Sequence, residues 1–213
     1  MGARRIRLVL LAAMIAGLAG CGGDGGGDRG LKNDDPGDNN PNVVVTFGDS
    51  FTHGNACACP SYPVRLAALT GKTVYNTGVG GTLATENIER AQGAIDRFHP
   101  AFMMILYGVG DVIHGFASSS IVAALGQMID ICTENHVVPV LATYPEPFGD
   151  HGAFAAGTLQ LNLRIRELAA ARGIRCVDLE PEFLANTDLY ESDGLHPNDA
   201  GTQIMAQSFG DLF

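Results

Sequence analysis

Ser50, Asp193 and His196 are the residue types that nucleophilic acyl transfer needs. Ser50 closes Val43-Val44-Val45-Thr46-Phe47-Gly48-Asp49-Ser50, an apolar, β-branched run of strand length that stops at a Gly-Asp turn. Such an ending presents a hydroxyl at the carboxyl edge of a strand, where open α/β sheets keep their sites. A serine hydroxyl is a weak nucleophile until a base takes its proton. Asp193-Gly194-Leu195-His196 offers an acid and an imidazole three residues apart, a spacing that one helical turn brings to the same side. Taken singly, each has a plainer role: Ser50 as a turn residue or helix cap, the other two as a solvated turn with a surface histidine.

The rest of the chain supplies elements that would hold these groups together. Ser61–Leu69 has helical spacing with Gly71 beyond its end, and Lys72–Asn76 is strand-like. A helix is expected from Thr82, with Ile88, Ala91, Ile95 and Phe98 in helical phase and Pro100 past its end. Ala101–Tyr107 is continuously apolar, as a central parallel strand covered on both faces would be. Ser118–Asn135, Leu159–Arg172 and Asp199–Leu212 are expected helices; Val137–Thr143 and Ile174–Leu179 are expected strands. Loops 51–62, 107–118 and 144–157 would flank the Ser50 edge and choose the substrate. Strands alternating with helices imply right-handed crossovers, hence an α/β fold: a three-layer α/β/α sandwich with a parallel five-stranded sheet, in one domain over residues 42–213.

Four ordered segments carry a resemblance. Gly48-Asp49-Ser50-Phe51, the turn Asn76-Thr77-Gly78-Val79-Gly80-Gly81-Thr82, Gly108-Val109-Gly110-Asp111 and Asp193-Gly194-Leu195-His196 are similar, in that order, to the four blocks of the SGNH or GDSL hydrolases. Phe51 stands where leucine is common, and Gly110 where the third block has asparagine. The resemblance implies a flavodoxin-like fold and a serine esterase in which Ser50 attacks an ester carbonyl, His196 takes its proton and Asp193 orients the imidazole. It also implies an oxyanion hole built on the amides of Ser50 and Gly81, its third donor lost at Gly110. Loss of one such donor typically lowers the rate by about 10²- to 10³-fold, so the implied hydrolysis of acyl or acetyl esters is slow. A water, the Gly110 N–H and a side chain such as His114 are the three ways of filling the gap. The alternative of a different class is an inactive envelope lipoprotein that binds its ligand without hydrolysing it.

The N-terminus has the form of an export signal. Arg4, Arg5 and Arg7 precede an apolar stretch, Leu8–Leu18, too short to span a bilayer, and Leu18-Ala19-Gly20-Cys21 looks like a bacterial lipobox. By that resemblance residues 1–20 are a signal peptide and Cys21 is the lipidated first residue; an ordinary secretory signal or a membrane-anchoring helix is the plainer reading. Residues 21–41 are rich in Gly and Asp and read as a tether. The expected setting is the bacterial cell envelope, with a small-molecule, lipid or glycan ester as partner and a monomeric domain. Eight basic against eighteen acidic residues over 42–213 disfavour a nucleic-acid partner.

Four cysteines follow Cys21, namely Cys57, Cys59, Cys132 and Cys176, and an exported compartment allows them two disulfides. Cys57-Ala58-Cys59 is expected to be structural rather than a redox pair. No metal set or cofactor motif is visible, and the implied reaction needs neither. Asp49 and Asp111 are expected to bond turn amides, and His53 and His114 to belong to loops.

Overall fold

The computed structural model describes residues 33–54, 56–184 and 186–213. The expectations for the signal peptide, Cys21 and tether residues up to 32 lie outside them. Among the described residues five strands form one parallel sheet: β1 (Asn40–Gly48), β2 (Thr73–Asn76), β3 (Pro100–Leu106), β4 (Val138–Ala142) and β5 (Arg175–Val177), in the order β2-β1-β3-β4-β5. Helices α1 (Ser50–His53), α2 (Tyr62–Thr70), α3 (Arg90–Phe98), α4 (Val109–Ile113), α5 (Ser118–Glu134), α6 (Ala155–Arg172), α7 (Leu179–Glu182) and α8 (Asp199–Gly210) follow in chain order. The expected three-layer sandwich is the fold found.

Why the central strands read as unbroken apolar runs is visible in the packing. Side chains alternate across a strand. Val45 and Phe47 of β1, Met103 and Ile105 of β3, and Leu141 of β4 pack under the α3, α5 and α6 layer. Val44, Met104, Leu106, Val140 and Ala142 face the layer of α2, α7 and α8. Each of the larger of these side chains, fully buried, contributes roughly 1.5–3 kcal/mol, more than any single strand propensity. Gly48, paired with Leu106, ends β1: a Cβ there would lie 2.2 Å from the Leu106 carbonyl oxygen and 2.3 Å from Thr52 Oγ1. Only glycine lets β1 turn directly into α1 beside β3.

Strand order reverses between β1 and β3, since β1 leads outward to β2 and β3 onward to β4. In sheets of this order that switch point, at the carboxyl ends of the strands, is the natural crevice. Ser50 follows β1 there, and Gly108–Asp111 follows β3.

Three expectations need correction, and the cysteine count, which allowed two disulfides, is met by one. The helix expected from Thr82 is a 3-10 turn, Ala84–Glu86, and then α3 from Arg90. Asp111 is the reason: its carboxylate accepts the Ala84 amide at 2.7 Å, the Thr85 amide at 3.0 Å and the Thr85 hydroxyl at 2.8 Å, which pins this segment to α4. Loop 144–157 contains a 3-10 turn, Gly149–Phe154, and α6 begins at Ala155. The folded part starts earlier than residue 42: Asp34 pairs with Arg175 at 2.7 Å, and Asn39 Nδ2 donates to the carbonyls of Asn135 and His136. Finally, the described residues hold one disulfide, Cys57–Cys59, while Cys132 and Cys176 are free. Cys132 is committed to the core, its thiol 3.6 Å from Met103 Sδ.

Candidate active site

Two separate elements bring the predicted residues together. Ser50 opens α1, whose N-cap Asp49 accepts the Phe51 amide at 3.0 Å. The turn before α8 carries the other two: Asp193 Oδ1 accepts the amides of Leu195 at 2.9 Å and His196 at 3.0 Å, fixing its carboxylate toward the imidazole. His196 Nδ1 donates to Asp193 Oδ2 at 2.6 Å, and Nε2 faces Ser50 Oγ at 2.9 Å. With Nδ1–H committed to the carboxylate, neutral His196 has its free lone pair on Nε2, at the serine. Burial raises the Asp193 carboxyl, but the hydrogen bond from His196 and those from the two amides outweigh it, so the net shift is downward. An ionised Asp193 suits it to hold that tautomer.

Around the serine lies a cavity of about 330 Å³, lined chiefly by the loop after β1, the turn 80–83, α4 and the Leu195-His196 pair. Its walls are mostly aliphatic: Ala56, Leu83, Val109, Ile113 and Leu195. Gly81 borders it with φ +75°, a left-handed conformation that favours glycine, and has open space where a Cβ would stand. The turn carrying Gly81 is tied down at several points. Val79 N donates to the Gly48 carbonyl at 3.0 Å, and Arg90 spans from the Thr77 carbonyl to the Tyr107 hydroxyl, each at 2.8 Å, with Tyr107 in turn bonded to Thr82.

Gly110 also lines the cavity, at the first turn of α4. A Cβ there would meet Leu83 Cδ2 at 3.2 Å and the Thr82 carbonyl at 3.4 Å. A side chain at this position would therefore crowd the Leu83 methyl. His114 borders the same cavity, but its Nδ1 is 2.7 Å from the Gly110 carbonyl oxygen, so that nitrogen is a donor committed to α4. Asp49 and Asp111 make the structural bonds expected of them. Loop 144–157 contributes no lining residue to the cavity; the turn 80–83 does so instead.

A sequence profile of the GDSL-like lipase/acylhydrolase family matches residues 46–204, spanning every element of the site. The chain belongs to the GDSL-like lipase/acylhydrolase family. Its class is that of ester hydrolases. Solved structures of similar fold include a member of the lipolytic protein G-D-S-L family from Veillonella parvula, 18% identical with TM-score 0.71, covering 80% of this chain and 97% of that one. An acetylxylan esterase from Geobacillus stearothermophilus is 16% identical with TM-score 0.67, over 78% and 91% of the two chains. A carbohydrate esterase family 3 protein from Talaromyces cellulolyticus gives 16% and 0.67, over 80% and 95%. At these identities the likeness is one of fold. Comparison with curated proteins gave no match.

Several residues of this GDSL site carry no motif. Tyr144 donates its hydroxyl to Asp49 Oδ2 at 2.6 Å and packs edge-on against Phe51, whose ring lies 5.6 Å from that of His196. Asn162, wholly buried in α6, clamps Tyr144 by accepting its amide at 2.8 Å and donating to its carbonyl at 2.7 Å. On the outer side of the triad turn, His151 Nδ1 lies 2.8 Å from the Asp193 carbonyl oxygen, and Phe148 N donates to the Gly194 carbonyl at 2.8 Å. Loop 144–157 thus braces the triad turn rather than forming the pocket. A buried asparagine in a helical pattern was the available signal for Asn162; the others depend on contacts across the fold.

Proposed function

We propose that the chain is a serine esterase that cleaves carboxylic esters through an acyl-enzyme on Ser50. The observation that supports this best is the continuous hydrogen-bonded line Asp193 Oδ2, His196 Nδ1, His196 Nε2, Ser50 Oγ, with separations of 2.6 and 2.9 Å. His196 takes the serine proton as Oγ attacks the carbonyl carbon, and the imidazolium is stabilised by Asp193. The tetrahedral oxyanion turns to the amides of Ser50 and Gly81. Collapse expels the alcohol, protonated by His196, and water then attacks the acyl-Ser50 ester by the same route. No residue of the sequence requires a metal or cofactor for these steps.

The aliphatic walls favour an uncharged acyl group of modest length. We further propose that the chain is a lipoprotein, anchored through Cys21 in a bacterial envelope and monomeric there. Gly110, which brings no side-chain donor to the cavity, favours slow turnover, and is the one observation that speaks for a binding protein without activity. Hydrolysis of p-nitrophenyl acetate and butyrate separates the two. Turnover that Ser50→Ala reduces at least a thousandfold supports the esterase; wild-type rates equal to those of folded Ser50→Ala support the binder.

A further inference from the structure

The two ends of β1 have opposite duties. Its carboxyl end delivers Ser50, and its amino end receives the chain from the N-terminal segment. Residues 33–39 lie along that amino edge. Asn33 Nδ2 donates to the carbonyl of Arg172, the last residue of α6; Asp34 pairs with Arg175, the first of β5; Asn39 bonds the carbonyls of Asn135 and His136, just past α5. These contacts hold the start of the domain at the edge of the sheet opposite the pocket.

Distances make this polarity consequential. A strand rises about 3.3 Å per residue, so β1 alone separates its ends by roughly 26 Å, and a domain of this size is about 40 Å across. Between Cys21 and Asn33 stand eleven residues, which in any conformation span at most roughly 40 Å. Charge adds to the separation of the domain as a whole. From residue 33 onward there are eight basic and twenty-one acidic residues, which an anionic bilayer surface repels.

We infer that the pocket faces away from the membrane that holds the N-terminus, so the substrates are esters of soluble molecules or of an acylated polymer on the far side, and not acyl lipids of that membrane. This rests on the esterase proposal and on the anchoring through Cys21 proposed above.

The test uses the full chain reconstituted in vesicles containing anionic lipid, with one short-chain aryl ester offered in two forms: free in solution, and fixed without a spacer to a vesicle lipid. Wild type is compared with Ser50→Ala and with a chain carrying twenty additional Gly/Ser residues inserted between Gly27 and Asp28. The free ester is hydrolysed equally by wild type and the lengthened chain. The lipid-fixed ester is hydrolysed at least tenfold faster by the lengthened chain. A smaller difference on the fixed ester overturns the inference, as does recovery of the chain free of the vesicles. Failure of the esterase proposal is seen separately, as free-ester rates equal to those of Ser50→Ala, and the inference falls with it.

Discussion

The hydroxyl of Tyr144 donates to the buried carboxyl of Asp49 at 2.6 Å, one residue before the proposed nucleophile. Burial pushes that carboxyl up to about 7, against the opposing pull of the hydrogen bonds from Tyr144 and the Phe51 amide. Asp49 therefore links the stability of the site to pH.

The sign is fixed by the direction of the shift. Below about pH 4 the carboxyl is protonated in both states and its contribution is complete. As pH rises, the unfolded carboxyl ionises near 3.9 while the folded one keeps its proton to about 7. Over that window the domain loses on the order of 4 kcal/mol, and nothing more above it. Urea denaturation between pH 4 and 8 should show this fall; Asp49→Asn should flatten it. Tyr144→Phe, which removes a bond favouring the charged form, should move the end of the fall to higher pH.

Gly110 and Leu83 should behave as a coupled pair. Gly110→Asn alone sends its side chain into Leu83 and should change kcat/KM by less than about threefold. Leu83→Ala alone opens the wall without adding a donor. The double variant regains a donor of a kind worth about 10²- to 10³-fold and should exceed wild type by at least tenfold. Additive effects in kcat/KM on p-nitrophenyl butyrate would show that Leu83 does not obstruct a donor at position 110.

Asn162 should matter more to stability than its distance from Ser50 suggests. Asn162→Leu leaves the Tyr144 amide and carbonyl buried without their partners, at roughly 1–3 kcal/mol for each unsatisfied group. A fall in Tm of several degrees, with the surviving folded fraction still binding an ester analogue, is the expected outcome of thermal unfolding.

The outline of fold and site was legible because its determinants are local. Both-face burial makes β1, β3 and β4 read as apolar runs, and the triad members stand at the ends of elements that declare themselves. What was hidden depends on distant partners. Asp111 breaks the 82–98 segment by holding Ala84 and Thr85, although the apolar phase from Ile88 to Phe98 is truly helical. Tyr144 and His151 belong to a polar stretch whose ordering comes from Asn162 and the Asp193 turn. An even number of cysteines says nothing of distance, so Cys132, sealed under Met103, could not be told from a disulfide partner.

Thiol chemistry should report that difference. Burial raises the Cys132 thiol to about 12 and the Cys176 thiol to about 12 as well. At pH 8 the native domain should therefore label slowly, at Cys176 before Cys132. Excluding Cys21, two thiols should react after denaturation and four after reduction, with Cys57 and Cys59 as the additional pair. Native protein yielding no thiol on denaturation would contradict the pairing.

The central claim is that His196 activates Ser50, and peptide mapping after exposure to a fluorophosphonate tests it most directly. A single adduct on Ser50, formed by wild type and reduced at least a hundredfold in rate in folded His196→Ala, is the predicted result. An unmodified Ser50 in the folded wild-type chain, or equal labelling of the two chains, would contradict it.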